Sequence, residues 1–412
     1  MCLNYRTKKY LETIMKKILL GIGLSCLINF AIGQVPERNI DELKIESQFR
    51  ADKGAYPMGG ISSEDAKEAL SYIKTRERDD WAAGWGKVAE KYIAQAKSST
   101  NTKEASLAYR KAWRLYYMAQ WPVPNSKGKQ SAYDKAIAAY AEYAKTLTPE
   151  LKVVKIPFEN KTITAYVRMP SNVQGKVPMV LAISGLDSRK ETVAEGYANI
   201  LEHGIGLVVV DGPGTGQAPV KVSTTADRMF SAVLDYMYKM PEVDTSRILV
   251  SGVSFGGYWA AKLAFTEKDR IIASVSQSPP VHEFFSQEFL INNTMGNREY
   301  LFDLAPAFIN VFEGANSVAD LAKIMPPMSL KTMGLLDKPA APMFIVGGVK
   351  DTQVPISDLE LLARSGKVPN YSWINPSGGH LGREIKGWTD PVILNQIIIP
   401  WEVNFFKNYK PN

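Results

Sequence analysis

One serine, framed by glycines, constrains this chain more than any other feature of its sequence. Ser254 lies within residues 251–257, Ser-Gly-Val-Ser-Phe-Gly-Gly. The mostly apolar run 247–250 before it predicts a strand, and the run 258–265 after it predicts a helix. A Gly-x-Ser-x-Gly sequence between a strand and a helix is typical of a strained turn that raises a nucleophilic serine above a sheet.

The residue types around Ser254 fit the chemistry of such a turn. Gly252 and Gly256 leave room for neighbouring backbone where a side chain would clash. The backbone N–H of Phe255 would then point to the place where an oxyanion forms during acyl transfer. A glycine-rich turn with a chance serine is the alternative, and the strand and helix on either side disfavour it.

From Leu151 onward, segments with strand and helix patterns alternate. Residues 151–167 predict a β-hairpin, and 177–183 predict a buried strand. This alternation implies an α/β fold with a mostly parallel sheet covered by helices on both faces, as in the α/β-hydrolases. The prediction is a catalytic domain over residues 150–412, interrupted by an inserted helical cap at about 279–337.

An all-helical domain is expected in front, over residues 34–149. Residues 34–60 look like a loose polar lead-in, and helices are predicted from Ser62, over Thr102–Gln120 and over Ser131–Thr146. The block is rich in Trp and Tyr. Two interpretations stay open: these aromatic residues pack against the next domain, or they form a lid that shapes the active site.

The first 33 residues have the pattern of a signal peptide. Lys16 and Lys17 precede the apolar run 18–30, and small residues then lead to Gly33. We expect cleavage after Gly33, translation from Met15 and a periplasmic or secreted location. An uncleaved membrane anchor is the alternative, although the run is short for a membrane span.

Removal of this leader changes the charge and the cysteine content. The chain has 412 residues and a formal net charge of +7, and residues 1–33 hold five basic and one acidic residue, so +7 − 4 leaves +3. This modest charge gives no argument for a nucleic-acid partner. Both cysteines, Cys2 and Cys26, are removed with the leader, which excludes a disulfide or a cysteine metal site in the mature chain.

A serine nucleophile needs a base, and only three histidines are available. His203 precedes the strained turn 251–257, called the elbow below, and His282 comes before the next core strand. His380 follows the last predicted strand, where an α/β-hydrolase carries its catalytic base. The catalytic acid should follow the last strand but one, and this position favours Asp351. The predicted triad is therefore Ser254, Asp351 and His380.

The second oxyanion donor should come from the loop after strand 177–183. In that loop the backbone N–H of Leu186 is the candidate beside Phe255. Asp187 and Arg189 either form a structural pair beneath the site or touch substrate, and the first interpretation is favoured. The glycine-rich run 211–216 lacks the lysine of a phosphate loop and is interpreted as a turn that lines the site.

These motifs together resemble a known family. The loop 185–191, Gly-Leu-Asp-Ser-Arg-Lys-Glu, the turn 211–214 and the elbow follow an aromatic-rich helical block. In this the chain resembles the α/β-hydrolases that include dihydroxypseudooxynicotine hydrolase, the fermentation-respiration switch protein and fungal polyketide chain-shortening hydrolases. The resemblance implies that Ser254, Asp351 and His380 are the triad and that the helical block is part of the lid. Several members cleave a carbon–carbon bond beside a ketone.

The sequence thus predicts an exported serine hydrolase that cleaves an ester or an acyl carbon–carbon bond of a small, aromatic or ketone-containing substrate. No cofactor, metal or nucleic acid is expected, and a homodimer is left open. Two rivals remain: a serine peptidase of the prolyl-peptidase type, and a non-catalytic binding module. Such peptidases usually carry a β-propeller in front, whereas residues 60–148 predict helices.

Overall fold

A computed structural model of the chain describes residues 37–171 and 173–410. The predicted leader, its cleavage site after Gly33 and both cysteines lie outside the described residues. Within those ranges, none of the helices combines the length and the apolar character that a membrane crossing requires.

From residue 37 onward, five helices precede the first strand. They are α1 (Ile40–Lys53), α2 (Ser63–Tyr72), α3 (Arg78–Ser98), α4 (Thr102–Gln120) and α5 (Lys127–Ala144). No strand occurs in the described residues before Leu151, which agrees with the predicted helical block and disfavours a β-propeller at this place.

The expectation of a loose lead-in over residues 34–60 is wrong, because helix α1 occupies most of it. Asn39 caps this helix and shares a capping box with Glu42, and Gly54 ends it in a left-handed conformation. Its buried side chains, Leu43, Ser47 and Ala51, recur every four residues. One of the three is a serine, so the buried stripe is hard to recognise from hydrophobicity alone.

The aromatic face of the helical block packs against the inserted cap. The indole of Trp81 is 1% exposed and lies 4.7 Å from the ring of Phe302, centroid to centroid. Trp121 stacks on Tyr300 at 5.0 Å. The packing interpretation of these aromatic residues is therefore correct. The block also reaches the catalytic pocket, as described below.

Eight strands form one sheet in the described part of the chain. They are β1 (Leu151–Phe158), β2 (Lys161–Arg168), β3 (Val177–Ile183), β4 (Gly206–Val210), β5 (Val243–Val253), β6 (Ala273–Gln277), β7 (Met343–Gly348) and β8 (Tyr371–Asn375). Their order is β1-β2-β4-β3-β5-β6-β7-β8. The first two pairings are antiparallel and the remaining ones are parallel.

The remaining helices cover the sheet and build the cap. They are α6 (Lys190–Gly196), α7 (Arg228–Lys239), α8 (Phe255–Thr266), α9 (Gln287–Phe289), α10 (Leu304–Val311), α11 (Val318–Ile324), α12 (Ile356–Ala363), α13 (Asp390–Ile393) and α14 (Ile399–Asn408). Strands β4, β6 and β7 are buried along their whole length, as expected for parallel strands covered on both faces. The predicted α/β-hydrolase fold class is confirmed.

The inserted segment between β6 and β7 consists of short helices, as predicted for the cap. Besides α9, α10 and α11 it contains single helical turns at Glu283–Phe285 and Pro326–Met328. The cap places four phenylalanine side chains around the ring of Phe255, at centroid distances of 5.8–6.5 Å: Phe284, Phe285, Phe308 and Phe312. It therefore covers the carboxyl end of the central strands, next to the elbow.

Replacing Trp81 by alanine should lower the free energy of unfolding by about 3–5 kcal/mol, because it empties a large buried site between the helical block and the cap. The change also removes the bond from the Trp81 indole N–H to the backbone oxygen of Met118, 2.8 Å long. Chemical denaturation would measure the change in the free energy of unfolding. Leu107→Ala, at a half-exposed position on α4, should change stability by no more than about 0.5 kcal/mol. Equal losses of stability for the two variants would contradict the packing role of Trp81 between the helical block and the cap.

Candidate active site

The elbow at Ser254 has the strained geometry that its sequence predicts. Ser254 has φ +55° and ψ −118°, a backbone conformation that residues with side chains rarely adopt. A Cβ atom on Gly252 would collide with the carbonyl of Gly256, and one on Gly256 would collide with the carbonyl of Ile183. Glycine is therefore required at both positions for the turn to pack against itself and against β3.

The three residues of the predicted triad lie side by side. His380 Nε2 is 2.9 Å from Ser254 Oγ, and His380 Nδ1 is 2.9 Å from Asp351 Oδ2. The side chains of His380 and Asp351 are 6% and 1% exposed. The structure thus brings together a hydroxyl, an imidazole and a carboxylate in a largely dry environment.

Backbone groups fix the orientation of the carboxylate. Asp351 Oδ1 accepts hydrogen bonds from the N–H groups of Gln353 and Val354, at 2.8 and 2.9 Å. Its other oxygen is left to face His380. Since Asp351 follows β7 and His380 follows β8, neighbouring parallel strands deliver the acid and the base to the same end of the sheet.

The two predicted oxyanion donors lie beside Ser254. Leu186 and Phe255 both line the pocket that contains the Ser254 hydroxyl. Phe255 is the first residue of α8, so its N–H has no acceptor within the helix. The N–H of Leu186 makes no hydrogen bond within the described ranges. The loop that carries Leu186 is shaped by a hydrogen bond of 2.7 Å from the N–H of Gly185 to Ser188 Oγ.

Glu299, which the sequence analysis did not single out, joins the cap to both catalytic loops. Its Oε1 accepts the backbone N–H of His380 at 2.5 Å. Its Oε2 accepts the N–H and the hydroxyl of Thr352, at 2.9 and 2.6 Å. The backbone oxygen of Glu299 in turn accepts a bond from Arg50 of α1. No local sequence signal marks this residue, because its partners lie far along the chain.

A buried ionic cluster supports, from below, the loop 184–189 between β3 and α6, which carries Leu186 and is called the oxyanion loop here. Lys190 Nζ lies 2.8 Å from Glu191 Oε1 and 2.9 Å from Asp211 Oδ2, and the three side chains are 0–2% exposed. Burial opposes the charge of Lys190, but the carboxylates of Asp211 and Glu191 outweigh it and raise the pKa above its ordinary value. Tyr166 donates to Glu191 at 2.7 Å.

The interpretation of residues 211–216 as a turn that lines the site is wrong. None of these residues contacts the catalytic pocket. Asp211 instead accepts the backbone N–H groups of Lys190 and Gln217, and the N–H of Gly212 donates to Ser184 Oγ. The turn therefore supports the oxyanion loop from behind. A glycine-rich pattern predicts a turn but not which side of it faces the site.

Asp187 and Arg189 do not form the favoured structural pair. Arg189 is buried and donates to the side chain of Gln120 and to the backbone oxygen of Pro122, which ties the oxyanion loop to the helical block. Oδ2 of Asp187 has no partner with hydrogen-bond geometry among the described residues, and the residue lines the catalytic pocket, where its carboxylate lies close to the hydroxyl of Tyr300. Only Arg189 is structural as expected.

The pocket at Ser254 has an empty volume of about 610 Å³, part of it open to solvent. The elbow and the oxyanion loop form its floor, and the cap and the helical block contribute its walls. Beyond the triad base and the oxyanion donors, its lining residues are Tyr56, Asp187, Ser188, Val253, Pro280, Phe284, Tyr300, Leu304, Phe308, Gln353, Val354, Leu381 and Arg383. Tyr56 comes from the helical block, so the lid interpretation of that block is also supported.

The other two histidines lie away from this pocket, as the sequence predicts. His203 is exposed at the end of a helical turn, and His282 Nδ1 lies 2.8 Å from Ser329 Oγ. Among the described residues, no group of three or more His, Cys, Asp or Glu side chains is arranged to hold a metal ion. The chemistry that this geometry can perform is acyl transfer: a serine beside a base, with two backbone donors for an oxyanion.

The chain is similar to known esterases and other hydrolases. A family model described as Esterase FrsA-like matches residues 62–373. Esterase FrsA of Vibrio vulnificus strain YJ016 is 30% identical over 293 residues, which cover 69% of this chain and 68% of that protein. Hydrolyase poxO of Penicillium oxalicum is 31% identical over 250 residues, which cover 55% of this chain and 58% of poxO.

The crystal structure of 2,6-dihydroxy-pseudo-oxynicotine hydrolase superimposes on this chain with a TM-score of 0.70. The match covers 86% of this chain and 96% of that one, at 20% sequence identity. At this identity the likeness bears on the fold alone. The resemblance predicted from the loop 185–191, the turn 211–214 and the elbow is confirmed.

Replacing Lys190 by methionine should destabilise the protein by about 3–5 kcal/mol, because Glu191 and Asp211 would keep their charges without a buried cation. Chemical denaturation monitored by tryptophan fluorescence would measure the loss. Lys176→Met removes an exposed lysine and should change stability by no more than about 0.5 kcal/mol. A Lys190→Met protein as stable as the wild type would show that the cluster does not need its cation.

Proposed function

Because this chain belongs to the FrsA-like esterase family, we propose that it is a serine hydrolase that cleaves esters of small molecules through an acyl-enzyme. The observation that carries the proposal is the continuous series of contacts from Ser254 through His380 to Asp351, with 2.9 Å at each step. A base within hydrogen-bond reach of a hydroxyl, itself oriented by a third group, is what a serine nucleophile requires.

In the first half of the reaction, His380 Nε2 takes the proton of Ser254 as Oγ attacks the substrate carbonyl carbon. The negative charge that develops on the carbonyl oxygen is held by the N–H groups of Leu186 and Phe255. Asp351 holds the imidazole through Nδ1 and stabilises its protonated form. His380 then gives its proton to the leaving alcohol oxygen, and the acyl group stays on Ser254.

In the second half, water replaces the alcohol. His380 takes a proton from the water, whose oxygen attacks the acyl carbon of the ester on Ser254. The same two N–H groups hold the second oxyanion. Collapse of this intermediate returns the proton from His380 to Ser254 Oγ and releases the carboxylic acid. No oxidant, reductant or cofactor enters this balance.

A ketone with a stabilised carbanion as leaving group is the second candidate substrate. The same serine attack and oxyanion contacts would break the acyl carbon–carbon bond, and His380 would protonate carbon rather than oxygen. The phenylalanine side chains at the pocket, Phe255, Phe284 and Phe308, favour a flat conjugated molecule of the kind that stabilises such a carbanion.

We also propose that the protein acts after export. The support is the sequence of residues 1–33, in which a lysine pair precedes an apolar run and small residues lead to Gly33. Mass spectrometry of the mature protein, secreted from its own host, should find Gln34 as the first residue. An intact N-terminus on protein from the cytoplasm would contradict this proposal.

Replacing Ser254 by alanine should lower kcat/KM by about 10⁴-fold or more, because the nucleophile is lost while the pocket is kept. The substrates are p-nitrophenyl butyrate and an aryl β-diketone, each assayed with both proteins. A wild-type preference for the ester supports the esterase proposal, and a preference for the diketone supports carbon–carbon cleavage. Ser276→Ala, one strand away and buried, is the control and should retain activity. Turnover that persists in Ser254→Ala would refute the mechanism.

Replacing Glu299 by glutamine should lower kcat about tenfold and leave KM within about twofold, since one acceptor for the catalytic loops becomes an N–H donor. The expected effect is on the orientation of His380 rather than on substrate contact. Glu288→Gln changes an exposed glutamate of the same cap and should behave as the wild type. An unchanged kcat in Glu299→Gln, or a loss confined to KM, would contradict this role.

A further inference from the structure

Three polar side-chain atoms at the catalytic pocket have no hydrogen-bond partner in the described part of the chain. They are Asp187 Oδ2, Tyr300 OH and Gln353 Nε2, all three buried. Their residues line the same pocket as Ser254 and His380. Buried polar atoms in folded proteins are almost always paired, so three such atoms in one pocket call for an explanation.

Asp187 is the acceptor of the set. The residue is 8% exposed and directly follows the oxyanion residue Leu186. Tyr117 donates its hydroxyl to the backbone oxygen of Asp187 at 2.7 Å, which fixes the position of the residue without using the carboxylate. A carboxylate held in place by its backbone, with one buried oxygen that has no partner, is suited to accept a hydrogen bond from a bound molecule.

Tyr300 comes from the cap and adds a hydroxyl donor. It is 5% exposed, and its ring is held by stacking on Trp121 at 5.0 Å. Burial, together with the charge of the Asp187 carboxylate and the approach of the hydroxyl to it, raises the pKa of the Tyr300 hydroxyl well above its ordinary value, so the hydroxyl keeps its proton. The hydroxyl and the carboxylate thus lie close together without the geometry of a direct hydrogen bond. Gln353, two residues after Asp351, adds an amide donor from a third part of the chain.

We propose that Asp187, Tyr300 and Gln353 form a subsite that binds a hydroxyl group of the substrate. The substrate hydroxyl would donate to the Asp187 carboxylate, and its oxygen would accept from Tyr300 or Gln353. This inference rests on the proposed hydrolase function and narrows it to substrates that carry a hydroxyl group near the scissile bond. Sites built to bond a hydroxyl discriminate strongly against analogues that lack it, because their polar groups are then left unpaired.

The charges around the subsite favour a neutral hydroxyl over an ammonium group. Arg383 lines the same pocket, where its guanidinium lies 4.5 Å from the ring centre of Tyr56. Its positive charge opposes a second cation next to Asp187. A hydroxyl group pairs with the carboxylate without adding charge, which costs less in a pocket walled by phenylalanine side chains.

The test compares substrates that differ by one hydroxyl group. The acyl pair is p-nitrophenyl 3-hydroxybutyrate against p-nitrophenyl butyrate, and the leaving-group pair is 3-hydroxyphenyl butyrate against phenyl butyrate. In one of the two pairs, wild-type kcat/KM should favour the hydroxylated member by about tenfold or more. The pair that shows the preference tells whether the subsite serves the acyl part or the leaving group.

Two variants assign that preference to the subsite. Tyr300→Phe removes one hydroxyl and Asp187→Asn removes the charge, and each should reduce the ratio between the paired substrates to about threefold or less. Tyr133→Phe is the matched control, since the Tyr133 hydroxyl is also buried and unpaired within the described residues but does not line the pocket. Its ratio should equal that of the wild type.

Failure of the subsite can be separated from failure of the proposed function. Ser254-dependent turnover with equal rates within both pairs would overturn the subsite and leave the hydrolase proposal intact, as would ratios unaffected by Tyr300→Phe and Asp187→Asn. Without Ser254-dependent turnover the hydrolase proposal fails. In that case, calorimetric titration of the Ser254→Ala protein with 3-hydroxyacetophenone and with acetophenone tests the subsite alone. Tighter binding of the hydroxylated ketone, lost in the double variant Ser254→Ala/Tyr300→Phe, supports the subsite. Equal binding of the two ketones overturns it.

Discussion

The left-handed backbone of Ser254 is the constraint on which the rest of the site depends. A conformation of this kind costs on the order of 1–3 kcal/mol and persists only where the surroundings enforce it. Here Ser254 donates its N–H to Gln277 on β6, and the turn closes against β3 through Gly252 and Gly256. The hydroxyl is thereby held clear of the sheet edge, within reach of His380.

Each side of the site then has its own support. On the oxyanion side, the buried cluster of Lys190, Glu191 and Asp211 fixes the start of helix α6. On the triad side, backbone N–H groups orient Asp351, and Glu299 holds the loop of His380. The ionic cluster is fully buried and the other supports are at least partly so, and since unpaired polar groups are costly in such places, each support permits few alternative arrangements.

The sequence predicts the parts of this site that local chemistry determines. The elbow is recognisable because its glycines are needed by the turn itself, and His380 is identifiable because few histidines compete with it. Helix α1 is hard to predict because its buried stripe includes a serine. Glu299 and the unpaired carboxylate of Asp187 could not be predicted, because their roles depend on contacts between segments that are distant in sequence. The sequence also does not show which side of the turn 211–216 faces the site, because that too depends on contacts with distant segments.

The position of Glu299 has a consequence for how the pocket can open. Its carboxylate spans loops that follow two different strands, and its backbone oxygen is held by Arg50 of the front helices. Moving the cap away from the pocket must break these bonds, and it removes one restraint on the segment that carries His380, which Ser278 and Gln277 continue to hold through Leu381. One carboxylate of the cap therefore touches both the wall of the pocket and the loops that carry the acid and the base, so access to the serine and the orientation of its base share a single contact.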